Sequence, residues 1–153
     1  MSIVMKLADY IALESIVPDL DVSSKSQALQ AISTNISRMI GVSADVIVHS
    51  LQKREELGST GIGGGIAIPH ARILGISKPV AAFAKLKKPI DFEAIDDLPI
   101  DIILALLTPD HAPAEHLNVL ACFSRKLRSP DVLKRMRATR NAQTLLDCLV
   151  MDT

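Results

Sequence analysis

The chain has 153 residues, of which 48% are hydrophobic and 22% charged, about one domain's length by the ~150-residue rule and too apolar for a disordered segment. Aromatic residues make up 3% (Tyr10, Phe83, Phe92 and Phe123), which argues against an RNA reader built on base stacking and leaves the core to Ile, Leu, Val, Ala and Met. Seventeen Lys and Arg cancel seventeen Asp and Glu, so no global basic field draws the chain to nucleic acid, and apolar runs such as 102–107 fall far short of the ~20 residues of a membrane span. Near the N-terminus a lone Lys6 is followed by no long apolar stretch, so no signal peptide is expected. Without an export signal, Cys122 and Cys148 read as reduced, buried thiols. The expectation is one cytoplasmic domain over residues 1–153, with no membrane insertion.

In chain order, Ser24-x-x-Gln27 fits a capping box at a helix start. Leu29, Ile32, Ile36 and Met39/Ile40 follow at helical spacing, and Gly41 supplies the stop. Ser43 caps a second helix carrying Val46, Ile47 and Leu51 and running to about Glu56. Five of the seven glycines then fall between Gly58 and Gly65. An apolar strand is expected over 66–70, with Pro69 marking its end or an edge and His70 meeting solvent. The runs 80–86 and 100–107 read as strands covered on both faces. Pro113 starts a helix with Leu117, Leu120, Ala121 and Leu127 as its core stripe. Ser129-Pro130 starts a shorter one, and a last helix near 143–151 buries Leu145, Leu146 and Leu149. Helices, then strands, then helices indicate an α/β fold, a mixed sheet flanked by helices.

The glycine run is not a nucleotide loop. No lysine lies between Lys53 and Lys78, so a Walker A loop is excluded, and a helix precedes the glycines where a dinucleotide fingerprint needs a strand. Ser59, in Gly-Ser-Thr-Gly, is not a nucleophile elbow. The bland alternative is a tight helix-to-strand turn.

The whole segment, from Arg54-Glu55-Glu56-Leu57-Gly58-Ser59-Thr60-Gly61 through Ile62-Gly63-Gly64-Gly65-Ile66-Ala67-Ile68-Pro69-His70, closely resembles the active-site signature of the mannitol/fructose class of phosphotransferase-system EIIA domains. His116-Leu117 with Leu120 and Ala121 matches a second element of that family. The stretch from Leu20 to Lys25 followed by a helix is most similar to the nitrogen-type branch. The resemblance runs over essentially the whole chain and implies the mannitol/fructose-class EIIA fold. It also implies a phosphotransferase component working through a phosphohistidine. His70 would accept a phosphoryl group on Nε2 from an HPr-type carrier, often a nitrogen-branch paralogue fed from phosphoenolpyruvate. Arg54 and His116 would flank the group as stabilisers. Targets in that branch include potassium-transport regulators and sensor kinases. Two alternatives stay open: a sugar-specific EIIA passing phosphate to a fructose- or mannitol-class EIIB, and an anion-binding regulatory module never phosphorylated.

The chemistry fits the resemblance. A neutral imidazole is a competent nucleophile near pH 7 because its free pKa lies near 6.5. Phosphoryl transfer asks the protein for positioning and charge stabilisation, and Arg54 offers a planar, permanently charged fork. Backbone N–H groups of Ser59, Thr60, Gly61, Gly63, Gly64 and Gly65 are candidates for a phosphate-binding loop. His49 reads as a surface residue. His111 lies five positions before His116 with Pro113 between, so it does not share its helix face. No metal-site spacing and no cofactor are indicated. Residues 125–140 hold seven basic side chains and one acid, whereas 91–101 hold five acids and no base; these read as solvated faces or mutual partners, or as a basic docking surface for an acidic protein.

Overall fold

The computed structural model describes residues 6–151; the ends of the expected 1–153 domain, 1–5 and 152–153, lie outside the described residues. The element order is β1 (Ile16–Leu20), α1 (Lys25–Ile40), α2 (Ala44–Glu56), β2 (Gly61–Gly63), β3 (Ile66–Ala67), β4 (His70–Ile73), β5 (Val80–Ile90), β6 (Ile100–Pro109), α3 (Pro113–Leu127), α4 (Pro130–Arg137) and α5 (Ala142–Val150). The strands form one six-stranded mixed sheet in the order β1-β5-β6-β3-β2, with β4 also paired to β6. β5 and β6 are antiparallel, with Phe83 opposite Leu104, whereas β1 runs parallel to β5 and both β3 and β4 run parallel to β6.

The two long apolar runs form the centre of the sheet because they are buried on both faces. Alternation along β6 sends Ile103, Ala105 and Leu107 into one core and Ile102, Leu104 and Leu106 into the other. The first core lies under α1 and α2 through Leu29, Ile32, Ile36, Ile47 and Leu51. The second lies under α3, α4 and α5 through Val119, Phe123, Met136, Leu145 and Leu149. A strand with apolar side chains on both sides has no solvent face to expose, so helices must cover both faces of the sheet.

Local signals set the helix ends. Ser24 Oγ accepts from Gln27 N, and Gln27 Oε1 reaches back to Ser23 N at 2.8 Å, one residue further than a standard capping box. Gly41 ends α1 at φ +73. Ser43, Ser129 and Asn141 cap α2, α4 and α5.

Several expectations are corrected. The strand expected over 66–70 is two pieces, because Pro69 has no N–H for the ladder; His70 therefore opens β4 instead of ending a strand. The two central strands extend to Ile90 and Pro109. β1 was not anticipated, since Pro18 and Asp19 interrupt it; it is tolerated at the sheet edge. On α3 the buried stripe is His116, Val119, Phe123 and Leu127, while Leu117 is 64% exposed and Ala121 is exposed. The sheet takes the face that carries the larger Phe123. Val46 and Met39 are likewise exposed, Leu146 is half-buried with Cys148 taking its place in the core, and Cys122 is only half-buried.

The glycine segment forms a hairpin, β2 turning into β3 through Gly64 and Gly65. A Cβ on Gly61 would stand 2.7 Å from the Ala94 Cβ, a separation no pair of carbons sustains. Gly61→Ala is therefore expected to lower stability by about 1–3 kcal/mol through overpacking, read as a reduced urea midpoint at unchanged slope; an unaltered midpoint would contradict this packing.

Candidate functional site

Three elements converge beside the N-terminal end of β4. The last turn of α2 supplies Arg54, the first residue of β4 supplies His70, and the first turns of α3 supply His116. With Lys53, Glu56, Arg72, Pro113 and Leu117 they line a cavity of about 760 Å³. The two imidazole rings face one another with centroids 5.5 Å apart, tilted by 49°.

The local backbone decides the state of His70. Ala67 is the last residue of β3, and Ile68 N donates to Thr60 O at 3.0 Å. Pro69 O accepts from Leu106 N at 2.9 Å, which holds the chain on the sheet across the break. The Ile68 carbonyl instead receives His70 Nδ1 at 2.7 Å. A carbonyl can only accept, so Nδ1 carries the hydrogen, and the neutral ring keeps its lone pair on Nε2. His116 is 9% exposed, and its Nδ1 is hydrogen-bonded to the hydroxyl of the fully buried Thr108 on β6.

Positive charge dominates the surroundings. Arg54 Nη1 donates to Gly58 O at 3.0 Å, folding the guanidinium over the C-terminal end of α2, where the helix dipole favours a cation. Neither Arg54 nor Arg72 is ion-paired among the described residues. Along β4, Arg72 lies two residues from His70 and so projects from the same side of the strand. Burial holds the His70 pKa below its ordinary value; Arg54 adds to this, while the Ile68 hydrogen bond and Glu55 oppose it. Burial also lowers the His116 pKa, with His70 and Arg72 acting in the same direction. Both shifts favour the neutral ring, the form in which Nε2 of His70 is nucleophilic.

The structure brings His70, His116 and Arg54 together but leaves the glycine segment elsewhere. None of Ser59, Thr60, Gly61, Gly63, Gly64 or Gly65 lines the cavity. The N–H groups of Thr60, Gly61 and Gly64 are already donated to Glu55 Oε1, Ser59 Oγ and Asp96 Oδ2. Arg137 further clamps the hairpin through Gly64 O and Asp101. Three of the six N–H groups expected to bind phosphate are thus engaged in holding the segment's own shape. That same clamp is one link between the basic and acidic segments read from the sequence. Sequence reasoning missed Arg72, Lys53 and Thr108. The alternation of β4 could have pointed to Arg72, two residues after His70, whereas nothing local marks Thr108.

His49 is exposed, and His111 is exposed beside Asp110, both apart from the cavity. Among the described residues no cluster of His, Cys, Asp and Glu could hold a metal ion, and no helix is long and apolar enough to cross a membrane.

The sequence model of the family described as "Phosphoenolpyruvate-dependent sugar phosphotransferase system, EIIA 2" matches residues 9–150. The chain belongs to this family. Within it, this EIIA chain is 40% identical over 147 residues to a nitrogen regulatory protein of Bradyrhizobium diazoefficiens, covering 96% of each. The crystal structure of the nitrogen regulatory protein IIA-Ntr from Neisseria meningitidis superposes with a TM-score of 0.90 at 31% identity, over 94% of this chain and 99% of that one. The mannitol IIA of Escherichia coli shares the fold at a TM-score of 0.75 and 21% identity, over 91% and 98% of the two chains. The expected fold and the nitrogen-type resemblance are both borne out.

The electrostatics of this EIIA site predict the titration of its histidines. By NMR, His70 and His116 should both titrate below the ordinary histidine value. In Arg54→Ala the His70 pKa should rise, since removing a neighbouring positive charge makes the imidazolium less unfavourable. A His70 pKa that stays put or falls would show that Arg54 does not act on the ring.

Proposed function

We propose that this chain is a phosphocarrier of the nitrogen-regulatory type, in which His70 accepts a phosphoryl group from an HPr-type donor and the phosphorylation state is read by regulatory partners. The observation that carries this reading is the Ile68 carbonyl bonded to His70 Nδ1, which leaves the Nε2 lone pair available inside a cationic cavity.

In the proposed step the Nε2 lone pair attacks phosphorus in line with the donor's P–N bond. A new P–N bond forms as the old one breaks, and the donor nitrogen keeps its electron pair. Charge spread over three equatorial oxygens in the transition state needs fixed positive partners. Arg54 fills that role with its planar fork, and Arg72 adds a second cation on the same side of β4. If Thr108 donates its hydroxyl hydrogen to His116 Nδ1, then His116 carries its own hydrogen on Nε2 and donates it to a phosphoryl oxygen. Arg72 is exposed and Arg54 half-buried, so these cations stay in contact with water and the cradle stabilises the group without trapping it, as a carrier requires.

The donor would be the nitrogen-branch paralogue of HPr, fed from phosphoenolpyruvate. The targets would be regulatory proteins such as potassium-transport regulators or sensor kinases, with residues 1–153 acting as one unit in the cytoplasm. The 40% identity to a nitrogen regulatory protein over 96% of the chain favours this over a sugar-specific role. Phosphorylation adds about −1.5 to −2 charge, enough to change which surface a partner accepts without refolding.

Incubation with a phosphoenolpyruvate-driven donor chain tests the reading. The wild type should acquire an acid-labile, alkali-stable label, and His70→Ala should acquire none; a label that persists in His70→Ala would move the acceptor elsewhere. Arg54→Ala should fold but transfer more slowly, by roughly 3 kcal/mol at most for one stabilising donor. Unchanged transfer kinetics would remove Arg54 from the site.

A further inference from the structure

Glu55 adjoins Arg54 in sequence but is absent from the cavity, and its side chain is 5% exposed. Oε1 accepts from Lys25 Nζ at 3.0 Å and from Thr60 N at 3.1 Å, whereas Oε2 is buried without a partner. Lys25 in turn lies 4.7 Å over the Phe92 ring. A buried carboxylate with one unsatisfied oxygen, paired to a half-buried lysine, is a weak device for stability, since its desolvation offsets much of the attraction. The arrangement therefore calls for another role.

The hydrogen bonds that leave Glu55 lead to His70. Thr60 N donates to Glu55, Thr60 O accepts from Ile68 N at 3.0 Å, and Ile68 O accepts from His70 Nδ1 at 2.7 Å. Thr60 contributes only its backbone to this connection; its hydroxyl is buried without a partner. From the other side Ser59 Oγ donates to Phe92 O at 2.8 Å, so the segment before β2 is held at adjacent residues. We propose that Glu55 is a positioning residue, which through Thr60 and Ile68 keeps the carbonyl in place that forces His70 into the tautomer with a free Nε2. Without that carbonyl the ring is free to place its hydrogen on Nε2, the form a histidine side chain in water prefers, and the nucleophile is blocked. The role in transfer rests on His70 being the phosphoryl acceptor; the control of the tautomer does not.

Ring ¹⁵N NMR of the unphosphorylated protein separates the two. Wild type should show a His70 pattern of a single tautomer with hydrogen on Nδ1. Glu55→Ala should shift it to a mixture, and the double variant K25M/E55L should do the same while leaving no lysine unpaired, so the test survives if the alanine variant misfolds. Glu55→Gln keeps an acceptor oxygen for Thr60 N and should retain the wild-type pattern. Where the tautomer is mixed, labelling by the donor chain should slow about tenfold or more. An unchanged ring pattern in K25M/E55L, or its loss in Glu55→Gln to the same degree as in Glu55→Ala, would overturn the assignment. A shifted ring pattern in a protein whose wild type takes no label would uphold the positioning and defeat the carrier reading.

Discussion

The site depends on a 2.7 Å hydrogen bond between an imidazole and the carbonyl two residues before it. Neutral imidazole has two tautomers, and only one leaves Nε2 able to attack. A carbonyl at Nδ1 selects that tautomer without any charged partner, so the ring is prepared but not made strongly basic. The carbonyl is free for this task because Pro69 breaks the strand between β3 and β4. In an unbroken strand Ile68 O would be spent on the sheet ladder. Pairing with β6 resumes at His70, so the ring is anchored to a long strand buried at every position but Asp101. A kink in a rigid sheet thus does what a flexible loop could not, fixing the side chain in one orientation.

Electrostatics complete the arrangement. Burial and Arg54 lower the His70 pKa, while Glu55 and the Ile68 carbonyl restrain that shift. The balance matters to a carrier. A ring that is protonated at neutral pH cannot attack, and one enclosed by too many fixed cations would hold a phosphoryl group indefinitely. Arg54 and Arg72 carry no ion pair among the described residues, so their charge is available to an anion. His116 is set against His70 by packing of α3, since the face that buries Val119 and Phe123 also turns the imidazole inward.

Much of this was legible in the sequence, for reasons that differ by element. The central strands announce themselves because continuous apolar runs have no other stable setting, and the caps at Ser24, Ser43 and Ser129 are written in local chemistry. His70, His116 and Arg54 were found through the family's signature, and the fold does gather them. The glycine run was ambiguous because glycine permits both close anion approach and close packing. Tertiary contacts with Ala94 at Gly61 and with Asp101 and Arg137 at Gly65 show the close packing, which no local pattern records. The α3 stripe was misread because Leu117 and Val119 both satisfy helical periodicity, and the choice between them belongs to the sheet. Thr108 and Glu55 were invisible for a further reason: each acts through a partner far along the chain or through backbone groups, which no spacing rule records.

The central claim concerns one nitrogen. Phosphorus–nitrogen coupling measured by NMR on the phosphorylated, ¹⁵N-labelled chain identifies which ring atom bears the group. The account predicts a bond to Nε2 of His70, with Nδ1 still carrying its hydrogen toward Ile68. Phosphorus on Nδ1 of His70, or on either nitrogen of His116, would contradict it.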